Sequence, residues 1–236
     1  MEGARSGLWF EMLRVISELR PPYVLAENVR GAVNLALDAV QAGMEAEGYE
    51  VRTLLLPAAA FGAPHKRERM FVIGIRKDVA DRLCLGSEAG IPRQNARKEG
   101  ESNLSDYSGE GGGKLWPTPV RLWPTPKRQK ANGGPCRHGD GGIDLQTAAN
   151  GALNPAWVEI LMGFPIGWTD PDCDEPEPWP GWPSMMGEPQ RGYEPSRTGT
   201  GIPNRAARLR ALGNAVVPAQ AYPFFAAIKV LEEVHQ

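Results

Sequence analysis

Hydrophobic positions along the chain fall into well-spaced groups. Trp9, Met12, Leu13, Ile16 and Leu19 recur at helical spacing, which predicts a helix over Gly7–Leu19, capped by Ser6 and stopped by Pro21-Pro22. The apolar run from Tyr23 to Glu27 follows at once as a strand. Leu37, Val40 and Met44 then mark one side of a second helix over about residues 34–47, ended by Gly48. Residues 50–56 read as another strand. The turn-prone Phe61-Gly62-Ala63-Pro64 leads through charged residues into the unbroken apolar run Met70 to Ile75. This predicts a hairpin whose second strand is buried on both faces. Helices alternating with strands across short links are the grammar of an α/β domain.

Beyond Lys77 the pattern dissolves. Residues 86–113 are polar, glycine-rich and without apolar period, the signature of loop or disorder. A short repeat follows, Leu115-Trp116-Pro117-Thr118-Pro119 and Leu122-Trp123-Pro124-Thr125-Pro126. Alternate prolines exclude helix and project Trp116 and Trp123 at equivalent places. Those tryptophans either touch a ligand or pack a small core, and the general burial of large aromatics favours packing. Asn154-Pro155 opens a helix that Gly163-Phe164-Pro165 ends. Residues 168–184 form an acidic, proline-rich excursion. Residues 205–212 form a basic helical turn broken by Gly213-Asn214, and Pro218 opens a last helix to about Val234. Pro223 predicts a kink or a late start there.

Composition changes this picture little: 236 residues, 42% hydrophobic and 23% charged, is an ordinary globular balance, although 28 Gly and 22 Pro imply much irregular structure. A net charge of −2 gives no sign of a polyanionic partner. The distribution does: residues 114–138 hold six Lys or Arg and no acid, whereas residues 170–188 hold six acids and no Lys or Arg. Arg121, Lys127, Arg128 and Lys130 in the basic block are therefore candidates for phosphate contact, beside the alternative of a solvated loop. The three cysteines, at positions 84, 136 and 173, lack metal-ligand spacing and point to a reducing, cytoplasmic setting. No apolar run is long enough to span a membrane.

Candidate chemistry concentrates at two strand ends. Alternation along an extended chain puts Arg67 and Arg69 on one face, with Lys66 and Glu68 on the other. Two adjacent guanidiniums at the rim of a buried strand are costly unless an anion or a carbonyl-rich group lies between them. Glu27, followed by Asn28, falls at the carboxyl end of its strand, where open α/β sheets bind ligands.

In chain order, Glu27-Asn28-Val29, His65-Lys66-Arg67-Glu68-Arg69, Met162-Gly163-Phe164-Pro165 and Gly213-Asn214-Ala215-Val216-Val217-Pro218 resemble four motifs of the DNA cytosine-5 methyltransferases. Residues 5–11 match a further family segment. His65 stands where the family has glutamine. The resemblance implies a partial S-adenosylmethionine-dependent methyltransferase sheet of Rossmann-like type, with a small irregular target-recognition domain. Expected divisions are 1–79 for the carboxy-terminal part of the catalytic domain, 80–204 for target recognition and 205–236 for a closing segment returning to the catalytic domain.

By the same resemblance, Glu27 would sit against N3 of a flipped cytosine and Arg69 against O2, with Arg67 supporting the pocket and the nearby loop. Asn214, Ala215 and Val216 would line the cofactor site. The family's glycine-rich cofactor loop and Pro-Cys nucleophile loop lie upstream of the segment matched by residues 5–11, and neither pattern occurs here. Pro135-Cys136 repeats the dipeptide in the wrong order and is not taken as the nucleophile. The expectation is a truncated or split cytosine-5 methyltransferase of the restriction-modification kind, inactive alone. It would act on double-stranded DNA, with an incomplete S-adenosylmethionine site and a second polypeptide supplying the missing loops. The alternative is a non-catalytic DNA-binding remnant.

Overall fold

The computed structural model describes residues 7–29, 33–85, 121–127 and 143–234. Its first part is helix α1 (Gly7–Leu19), strand β1 (Tyr23–Val29), helix α2 (Val33–Ala46), strand β2 (Tyr49–Pro57), a 3-10 turn (Ala58–Phe61), strand β3 (Glu68–Arg76) and helix α3 (Lys77–Leu85). The second part holds α4 (Leu145–Ala148), α5 (Pro155–Leu161), α6 (Arg205–Asn214) and α7 (Pro218–Val234). The predicted strands and the long helices are present. Helices α3 and α4 and the 3-10 turn lie where no element was expected. α7 starts at Pro218 and keeps Pro223 in its interior, so the expected late start is absent.

The three strands order as β1-β3-β2, with β3 antiparallel to both neighbours. β3 is central, fully buried at Met70, Val72 and Gly74 on one face, while on the other Phe71 is buried and Ile73 and Ile75 are half-buried. The face carrying Val24, Val51, Tyr49, Met70 and Val72 packs with Ile16 and Met44 from α1 and α2 to form one core. Gly74 lies on this face because a Cβ there would stand 2.1 Å from the Met44 terminal methyl. Phe71, on the opposite face, meets Phe224 of α7 with ring centroids 5.0 Å apart.

A second core gathers Trp123, Leu145, Leu153, Trp157, Val158 and the 160–162 run with Leu209, Leu212 and Val217. Trp123 and Trp157 meet edge to face, with centroids 5.0 Å apart. Trp123 is 2% exposed and its indole N–H donates to the Ser184 carbonyl, so the second copy of the repeat packs a core. Trp116 lies outside the described residues. α6 belongs to this second core, while α7 lies back against the sheet through Phe224.

Candidate active site

Strand pairing sets the site. In the β1–β3 register Val29 faces Arg69 and Glu27 faces Phe71, so Glu27 and Arg69 are diagonal neighbours on one face of the sheet. Arg69 Nε lies 2.7 Å from Glu27 Oε1, and the two side chains are 11% and 26% exposed. The Arg69 Nε–H is not aligned on that oxygen as a hydrogen bond, while Nη1 donates to the Glu68 carbonyl. Burial raises the Glu27 pKa against the lowering pull of Arg69 and then Arg67. Burial likewise lowers that of Arg69, and Glu27 offsets part of this. Desolvation outweighs the pairing for both partners, so burial disfavours the charged form of each.

Arg67 stands at the entry to β3 in an unusual backbone conformation. It lies just before β3 with φ 31°, and its guanidinium stays close enough to Arg69 and Glu27 to act on both electrostatically. It is 2% exposed. Its Nη1 donates to the Pro126 carbonyl at 2.9 Å, and its Nη2 donates to the carbonyls of Gly213 and Ala215. The carbonyl-rich partner that two neighbouring guanidiniums require is here the protein's own backbone. Burial first, and Arg69 second, lower the Arg67 pKa to about 9, which leaves it charged at neutral pH. Lys66 pairs instead with Glu68 at 3.2 Å.

His65 is fully buried and its Nε2–H donates to the Leu161 carbonyl at 2.9 Å. Burial lowers its pKa to about 4, with Arg67 and Arg69 adding to the effect and the Leu161 bond opposing it. It is therefore a neutral structural side chain that joins the arginine segment to the end of α5. A parallel bridge from His65 to Trp123 and the Trp123 N–H donated to the Pro64 carbonyl tie in the 121–127 segment.

The other predicted residues divide. Asn214 is the exposed last residue of α6, Ala215 gives its carbonyl to Arg67, and Val216 is half-buried. These three offer one amide and some apolar surface, without a carboxylate for a ribose diol, so by themselves they do not fit S-adenosylmethionine. Arg121 and Lys127 are exposed at the two ends of the segment that carries Trp123. Arg128, Lys130 and Cys136 lie outside the described residues. Cys173 packs against Gly167. Among the described residues no group of His, Cys, Asp and Glu side chains is placed to hold a metal.

Two buried polar residues escaped the sequence reading. Glu159, fully buried in α5, accepts from the N–H groups of Gly167 and Thr169 and from the Thr169 hydroxyl, and pairs with Arg208 at 3.0 Å. Its signal is a lone acid inside the apolar run Trp157 to Met162. Gln220, fully buried in the first turn of α7, donates to the carbonyls of Leu56 at 2.8 Å and Arg67 at 3.0 Å.

Comparison with known proteins gives the family and the fold. Residues 1–122 match the family model for C-5 cytosine-specific DNA methylases. The type II methyltransferase M.BanI of Aneurinibacillus aneurinilyticus is 35% identical over 108 residues, covering 44% of this chain and 25% of that protein. M.Eco47II of Escherichia coli, also a type II methyltransferase, is 31% identical over 125 residues, covering 49% of this chain and 30% of that protein. The chain thus spans between a fifth and a third of the length of the curated relatives it matches. The solved structure of the S. pombe Dnmt2 methyltransferase superposes with a TM-score of 0.50 at 15% identity, covering 98% of this chain and 73% of that one, a likeness of fold.

Proposed function

Because the chain belongs to the C-5 cytosine-specific DNA methylase family, we propose that it supplies the base-holding side of cytosine-5 methyl transfer on DNA. The observation that carries this is the half-buried Glu27 carboxyl on β1, set 2.7 Å from the Arg69 guanidinium on β3. Adding a thiolate at C6 of a cytosine places negative charge on N3 and O2. A carboxyl that keeps its proton donates to N3, and a neighbouring guanidinium stabilises O2. Arg67 holds the floor of that pocket and the loop beside it. Glu27 and Arg69 are mostly buried yet keep 26% and 11% of their side-chain surface exposed, which suits contact with an extruded base.

In this reading Asn214, Ala215 and Val216 form one edge of the S-adenosylmethionine site. Exposed apolar side chains flank the sheet, among them Leu8, Phe10 and Leu19 of α1 and Tyr222 and Phe225 of α7, at 56–74% exposure. Such surface suits packing against further protein. Arg121, Lys127, Arg128 and Lys130 contact the phosphate backbone, and residues 80–204 serve target recognition between the catalytic part, 1–79, and the closing segment, 205–236.

The test is a binding competition at low salt between duplexes carrying an unpaired cytosine or an unpaired thymine opposite an abasic site. Tighter binding of the cytosine duplex, lost in Glu27→Gln, is the expected result. Equal binding of the two duplexes, or a preference that survives Glu27→Gln, rejects the assignment.

A further inference from the structure

The mouth of the β2–β3 hairpin, where the strands meet their connecting loop at Pro57 and Glu68, is tied by a residue of α7. Pro57 has no N–H to give the facing strand, so donors at the mouth must come from elsewhere. The Ala58 N–H donates to Lys66 O, with a longer contact to Arg67 O, and the Gln220 amide donates one hydrogen to Leu56 O and the other to Arg67 O. Those two carbonyls flank Arg69 in structure, since Leu56 is its register partner on β2 and Arg67 is two residues before it. The amide orientation is fixed by chemistry, because turning it over would aim Oε1 at two carbonyl oxygens. Gln220 Oε1 is buried without a hydrogen-bond partner among the described residues, a cost that an apolar side chain would avoid.

A second side chain completes the arrangement. Thr125 Oγ1 accepts from the Arg67 N–H at 3.1 Å. Both polar groups of the Arg67 backbone are thereby held by side chains of other segments, one from the 121–127 stretch and one from α7, where the backbone itself adopts φ 31°.

We propose that Gln220 and Thr125 are positioning residues that hold the entry to β3, and so fix the direction from which Arg69 meets Glu27. This rests on the base-holding role of Glu27 and Arg69 proposed above. Neither residue touches the base; each acts through the backbone of Arg67. Removing the Gln220 donors frees the hairpin mouth, lets the strand entry rotate and swings the Arg69 guanidinium off the carboxyl.

The experiment follows the Glu27 carboxyl titration by NMR with isotope-labelled glutamate, the signal being assigned by its loss in Glu27→Gln. Arg69→Met sets the upper reference, because it removes the cation that holds the Glu27 midpoint down. Gln220→Leu and Thr125→Val are expected to move the midpoint upward toward that reference. A global loss of stability without local reorientation leaves the midpoint of the folded protein at its wild-type value. Thr125→Val, nearly isosteric, stands in if Gln220→Leu does not fold. A midpoint unchanged in folded Thr125→Val or Gln220→Leu, or one unmoved by Arg69→Met itself, overturns the proposal. The titration contains no DNA, so its outcome is separate from the cytosine competition that tests the methyl-transfer reading.

Discussion

Replacing Glu159 with glutamine isolates what the buried carboxylate does for the Gly-Phe-Pro loop. In the native protein one oxygen, Oε2, accepts from the Gly167 N–H at 2.7 Å, while Oε1 takes the Thr169 N–H at 3.0 Å, the Thr169 hydroxyl and Arg208. Glutamine keeps one oxygen and can satisfy the Thr169 and Arg208 side. Its NH2 then faces the Gly167 N–H, leaving two buried donors opposed, a cost of about 1–3 kcal/mol. Arg208, 6% exposed, also loses a charged partner but retains Asp170 at 2.6 Å, so only part of the ~3–5 kcal/mol for breaking a buried pair applies. Together a loss of about 3 kcal/mol is expected, a large share of the ~5–15 kcal/mol that holds a domain folded. Urea unfolding followed by tryptophan fluorescence reads this as a lower midpoint at unchanged slope. Arg208→Met is expected to cost less than Glu159→Gln, because the carboxylate keeps its backbone donors. A Glu159→Gln loss under about 1 kcal/mol, or a larger loss in Arg208→Met, refutes the view that amide capping is the main service of this acid.

The remaining predictions concern the arginine segment and its surroundings. His65 has a folded pKa of about 4 against an ordinary 6.5, so the unfolded chain takes up the proton first as pH falls. The stability it contributes is complete above about pH 6.5 and is lost down to about pH 4, some 2 kcal/mol of it between pH 7 and 5; His65→Gln should flatten that part of a stability-against-pH curve. Arg67→Lys is expected to cost about 2–3 kcal/mol in urea unfolding, because an ammonium lacks the planar fork that reaches the Pro126, Gly213 and Ala215 carbonyls together. A loss below about 0.5 kcal/mol would show that those carbonyls find other donors. Trp123→Phe removes the bond to Ser184 O and trims a fully packed ring, and should lower stability by about 2 kcal/mol without altering the Glu27 titration.

Much of the fold was legible because periodicity and punctuation agreed. The α1 pattern ended at a proline pair, α2 at a glycine, and β3 announced its central place by an apolar run without alternation. Helix α3 was missed because charges interrupt its short apolar set; it is supported by Asp78 in its first turn, which pairs with Arg76 before it at 2.6 Å and with Arg82 one turn on at 3.8 Å. The Glu27–Arg69 pair was anticipated by matching motifs, while the register that joins them, Val29 opposite Arg69, is a property of pairing that no single strand encodes. The partners of Arg67 were hidden for the same reason. They are 59, 146 and 148 residues away, and the positive φ of Arg67 has no local sequence signal such as glycine. Gln220 gave no local sign, being one polar residue in the first turn of a long helix.

Arg67 gathers carbonyls from two stretches of chain that lie 59 and about 150 residues later in sequence. Closing loops of that span is slow compared with forming the helices and the β2–β3 hairpin. During synthesis the early strands can pair while the guanidinium still lacks the acceptors that settle it. The finished pocket therefore requires the segment from Gly213 to Gln220 to have come home, and its integrity reports that this stretch has been made and folded.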